Sequence, residues 1–132
     1  PAMPYQRYPW TPALAAACLL CSLAAGAQTA SSGTSTTERE IQSLFKALQQ
    51  SGCEFARHGQ WYSASEASAH LQRKYSYLQK RDLAPTAEAF IARAASQSSM
   101  SGKPYLVRCP GQPEVRSQQW FEAQLAQART AQ

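Results

Sequence analysis

The sequence predicts an α+β fold: a small antiparallel sheet of about three short strands packed with four helices in a single domain. Three observations lead there. Four segments repeat their apolar residues at helical spacing, each with one apolar face. Two short stretches, Cys53–Tyr62 and Tyr105–Cys109, switch to a period of two. The chain has 132 residues, enough for one domain. Strands this short cannot stand alone and single-striped helices need a cover, so the two sets of elements must pack on each other.

Residues 1–27 read as a signal peptide. Arg7 precedes an uncharged run from Ala13 to Ala27 that ends in Ala25-Gly26-Ala27. The run is shorter than the ~20 residues a membrane-spanning helix needs, and its end suits a signal peptidase, so cleavage after Ala27 is expected and an uncleaved anchor is the lesser alternative. Met3 is the first methionine, and the natural start is expected there or upstream. Neither Cys18 nor Cys21 sits in a lipidation box, which disfavours acylation. The expected location is periplasmic or secreted, with no stable membrane span after processing. Residues 28–36 are polar and small, have nothing to bury, and are expected to form a disordered linker before a domain at 37–132.

Thr37 with Glu40 reads as a capping box, and Ile41, Leu44, Phe45 and Leu48 follow on one face, giving a first helix over 37–51 that Gly52 stops. Cys53 and Phe55 then alternate with Glu54 and Ala56, and His58-Gly59 makes a hairpin tip before Trp61 and Tyr62. Ser63 with Glu66 is a second capping box, and Ala67, Leu71, Tyr75 and Leu78 carry a helix from about 64 to 80. After a break at Asp82–Pro85, Thr86 caps a third stripe of Ala87, Phe90, Ile91, Ala94 and Ala95. Past a serine-rich turn, Tyr105, Val107 and Cys109 form a strand. Pro113–Arg116 allows at most a short edge strand. Ser117 is the expected cap of a last helix that buries Trp120, Phe121, Leu125 and Ala128.

Without the leader, Cys53 and Cys109 are the remaining cysteines, and two cysteines in an exported domain of this size are expected to pair. The bond would tie the first strand to the last. A metal site would need further ligands, and neither C-x-x-C nor H-x-x-x-H spacing occurs after residue 27, so no metal and no cofactor are implied. The mature chain carries twelve basic residues against eight acidic ones, a charge of +4. That favours anionic neighbours in the cell envelope but is too small to indicate nucleic acid.

The motifs S-G-C-x-F-x-R-x-G at Ser51–Gly59, H-L-x-x-K-Y at His70–Tyr75, T-A-E-x-F-I at Thr86–Ile91 and S-S-x-S-G-x-P-Y at Ser98–Tyr105 together resemble the YfeK-like family of small exported bacterial proteins. The resemblance covers roughly residues 37–129. It implies export and a single domain. The family is one of unknown function, so it implies no activity, cofactor or catalytic residue.

Catalytic constellations are sparse. A hydrolase needs a nucleophile, a base and an orienting acid, and the sequence offers turn serines, His58 and His70, and Asp82 as its sole aspartate, without a G-x-S-x-G elbow. A glycosidase needs placed carboxylates, and Glu40, Glu66 and Glu88 have capping or first-turn explanations. His70 and Lys74 share a helix face at i,i+4 and could receive an anion. Ser98, Ser99, Ser101, Gly102, Lys103 and Tyr105 form a dense polar turn beside a basic and an aromatic residue. These eight residues are the expected binding positions of a non-enzymatic exported domain whose partner is an envelope component or another protein. Two alternatives stand behind that reading. One is a small serine-dependent hydrolase using His70. The other is an inhibitor-like role, because Ser101-Gly102-Lys103-Pro104-Tyr105 fits the S-G-x-x-Y pattern of a group of periplasmic inhibitors of c-type lysozyme; against it, those inhibitors look like β-barrels and a basic lysozyme would repel a basic domain.

Overall fold

The computed structural model describes residues 34–132; the expected signal peptide and most of the expected linker lie outside them. The elements run α1 (Thr36–Gln50), β1 (Glu54–Arg57), β2 (Gln60–Ser63), α2 (Ala64–Gln79), α3 (Ala87–Phe90), β3 (Leu106–Arg108), β4 (Val115–Arg116) and α4 (Ser117–Thr130). A π-helical turn at Ile91–Ala95 continues α3 without a break. The α+β architecture with four helices is as the sequence predicts, and the sheet has four strands rather than about three, because Val115–Arg116 does pair along the edge.

α1 starts earlier than expected. Its capping box is Ser35 with Glu38: the Ser35 hydroxyl accepts from Glu38 N and the Glu38 carboxylate accepts from Ser35 N. The Thr37–Glu40 pair has the same spacing but is used elsewhere. The Thr37 hydroxyl donates to Pro85 O, and Glu40 is buried and accepts from Arg129 Nε of α4. The box at Ser63 and Glu66 forms as predicted, and Thr86 accepts from Ala89 N at the head of α3. Ser117 does not cap α4. It is the first helical residue and is buried, and its N–H donates to Tyr105 O, so the chain enters α4 straight from β4 without a side-chain cap.

The strands lie in the order β2-β1-β3-β4, every neighbouring pair antiparallel. His58 and Gly59 at the β1–β2 turn both have positive φ, 52° and 77°, the type I′ geometry whose twist matches a hairpin. The register sets Tyr62, Phe55, Val107 and Val115 in one row across the sheet. Side chains two residues apart share a face, so Arg57 lies on the same side as Phe55. Cys53 and Cys109 join in a disulfide just beyond the paired ends of β1 and β3. The bond therefore links neighbouring central strands.

The helices bury their stripes against this face. Ile41, Leu44, Phe45 and Leu48 of α1 meet Leu71, Tyr75 and Leu78 of α2, Phe90 and Ile91, and Phe121 and Leu125 of α4. Phe45, Tyr75 and Phe90 form one aromatic cluster and Phe55, Trp120 and Phe121 another; such pairs add ~0.5–1.5 kcal/mol each beyond their area. None of the described helices is long and apolar enough to cross a membrane.

Candidate functional site

Beyond the packed row, the β1–β2 hairpin and α2 diverge and leave a cleft of about 300 Å³. Its floor is apolar, from Phe55 and Ala56 of β1 and Ala67 and Leu71 of α2. Its rim is basic and aromatic, from Arg57, Tyr62, His70, Arg73 and Tyr105. Local rules place these groups. Arg57 is the last inward-facing residue of β1, past the reach of the core. Glu66, Ala67, His70 and Lys74 recur at helical spacing, so α2 turns one edge of its apolar stripe toward the cleft. Tyr105 is held by two backbone bonds, its N–H to Ser96 O and its carbonyl from Ser117 N, and its ring is buried against the rim.

Arg57 Nη1 lies 2.7 Å from Nδ1 and 2.9 Å from Nε2 of His70, so the guanidinium rests against the imidazole. Burial, then the charges of Arg57, Lys74, Arg73 and His58, push the His70 pKa down to about 4. The ring is therefore neutral at pH 7. Lys74 Nζ reaches Gln97 O and the Tyr105 hydroxyl, each at 3.4 Å, and lies 5.2 Å from the Tyr105 ring centre. Burial, with Arg57, lowers the Lys74 pKa, and burial raises that of Tyr105 while Arg57 pulls it the other way. Arg57 Nε is buried and has no hydrogen-bond partner. Glu66 is the one carboxylate on the cleft wall, and its Oε2 is taken by the backbone N–H and hydroxyl of Ser63.

The expected binding residues separate into two groups. His70, Lys74 and Tyr105 come together at the cleft. The turn is closed on itself: buried Ser98 accepts from Met100 N and Ser101 N, its carbonyl accepts from Gly102 N, and its N–H donates to Lys103 O. Ser99, Ser101, Gly102 and Lys103 are exposed on the outside of that turn. Ser98 Oγ is 3.5 Å from His58 Nε2, whereas both His70 nitrogens face Arg57. Among the described residues no cluster of three or more metal-binding side chains occurs.

The model of a family of unknown function, DUF5329, matches residues 35–129. The chain belongs to that family. A curated relative, the uncharacterized protein YfeK of Salmonella typhimurium, is 39% identical over 69 residues, which is 52% of this chain and 56% of the relative. The chain thus aligns with little more than half the length of that relative. No solved structure matches. The YfeK-like resemblance read from the motifs is borne out, and with it the status of a DUF5329 domain without an assigned activity.

Two residues that line the cleft of this DUF5329 domain escaped sequence reasoning. Arg57 was present in the S-G-C-x-F-x-R-x-G motif, and the alternation from Phe55 to Arg57 already puts it on the inner face. Tyr62 follows by hairpin register, opposite Phe55. A polar residue on the inner face at a strand end was the available signal.

Proposed function

We propose that this DUF5329 domain is an exported, non-enzymatic binding protein that takes an anionic group of an envelope component at the Arg57 cleft. One observation carries the reading: a buried guanidinium nitrogen without an acceptor sits on a rim of basic groups whose one carboxylate is committed to a helix cap. A buried donor left unpaired costs ~1–3 kcal/mol, which an anionic guest would recover. His70 and Lys74, paired in sequence as an anion-receiving face, belong to the same cluster, and Tyr105 is the one residue shared with the serine-rich turn.

Calorimetric titration with acetate and with inorganic phosphate tests the site. The expected result is saturable binding by the wild-type chain and loss of at least tenfold in affinity in Arg57→Gln, with far-UV circular dichroism unchanged; equal binding by the folded variant would remove the site. Fractionation of cells making the full chain tests export, and a cytoplasmic, unprocessed product would contradict it. The hydrolase alternative finds its nearest geometry in Ser98 and His58. That serine hydroxyl is already anchored by two backbone N–H groups inside its turn, which favours a structural role.

A further inference from the structure

Resting on the anion-site reading, we infer that the cleft selects a small amphiphilic anion, with a carboxylate head on Arg57 and an aryl or short alkyl arm over Phe55, Ala67 and Leu71. The two halves of the cleft differ in chemistry. Arg57, Arg73 and Lys74 bring positive charge to the rim and its edge, with neutral His70 and the Tyr62 and Tyr105 rings between them. Below them the wall offers carbon to a guest: Phe55, Ala56, Ala67 and Leu71. A hydrated inorganic ion would satisfy the rim and leave this floor facing water. A neutral apolar guest would cover the floor and leave the charges unpaired.

Size bounds the arm. An apolar cavity of about 150 Å³ holds a benzene molecule, so about 300 Å³ has room for one ring, a short linker and a head group. A long acyl chain would extend past the cleft. Head-group chemistry follows from the guanidinium. Nη1 is engaged with His70, while Nε has no partner. Nε is closed to water, so the carboxylate reaches it as the guanidinium swings off the imidazole. A planar two-oxygen acceptor then matches the fork of donors that Arg presents.

Calorimetry at pH 7 with acetate, 3-phenylpropionate, octanoate and the neutral 3-phenylpropanol separates the components. Either arm-bearing carboxylate is expected to bind about tenfold or more tightly than acetate, because the arm buries apolar surface. It is expected to exceed 3-phenylpropanol by a similar factor. Ala67→Leu, which fills the floor, should bring 3-phenylpropionate down to the affinity of acetate. If acetate binds and the arm adds nothing, the amphiphile inference fails and the anion site stands. If the alcohol binds as well as the acid, both fail, and so they do if no anion binds at all. These wild-type comparisons decide the matter even where a variant does not fold.

Discussion

Arg57 and His70 occupy each other's hydrogen-bonding and electrostatic space, and the consequences are measurable. With its pKa lowered from 6.5 to about 4 by burial and neighbouring cations, native His70 refuses a proton that the unfolded chain accepts. Stability is therefore fully present above about pH 6.5 and declines as pH falls toward about 4. NMR titration of the His70 ring protons should give a midpoint near 4, and Arg57→Gln should move it upward toward 6.5. An unchanged midpoint in the variant would mean that burial and the remaining cations, not Arg57, lower it. His70, Lys74 and Tyr105 were legible because helical spacing and the turn motif single them out. Arg57 was less so, since a basic residue beside a hairpin tip reads as solvated until the register shows which face it takes. Ser98 is occupied within its own turn, where its hydroxyl accepts from Met100 N and Ser101 N.

At the scale of elements, the helices and the hairpin were largely readable, and their starting points were not. Ser35–Glu38 and Thr37–Glu40 are both valid capping boxes by spacing. The choice between them is tertiary: α4 brings Arg129 to Glu40, and the segment before α3 brings Pro85 O to Thr37. Ser35→Ala should cost about 1 kcal/mol, in the usual range for losing a helix cap, measured as a shift of the urea midpoint; no shift would mean that α1 begins elsewhere. The π turn after α3 was invisible for a related reason. Its stripe of Ile91, Ala94 and Ala95 is buried as predicted, but a wider turn keeps the same small residues inside, and the Ser96 hydroxyl donates to Ile91 O, five residues back. The short edge strand β4 depended on pairing of Val115 with Val107, which no local pattern specifies.

For the whole molecule, the α+β architecture was legible because its stripes, caps and turns agree with one another. The order of strands was not, since it depends on which edges meet. The Cys53–Cys109 bond closes a long loop, with a sequence separation of 56, across two neighbouring central strands. Chain entropy assigns such a loop about 4 kcal/mol, a large share of the ~5–15 kcal/mol that holds a domain together. The Cys53→Ala/Cys109→Ala protein should therefore unfold at markedly lower urea; an unaltered midpoint would mean the bond constrains nothing the fold does not already fix. The same bond anchors one end of β1, and Arg57 lies at the other end of that strand.

The central claim is that this scaffold presents an anion site at Arg57, and amide and side-chain NMR mapping of a carboxylate titration tests it most directly. The account expects saturating shifts at Arg57 Nε–H, His70 and Tyr105, with Ser99–Lys103 unmoved. Shifts confined to that outer turn, or none at saturating carboxylate, would contradict it.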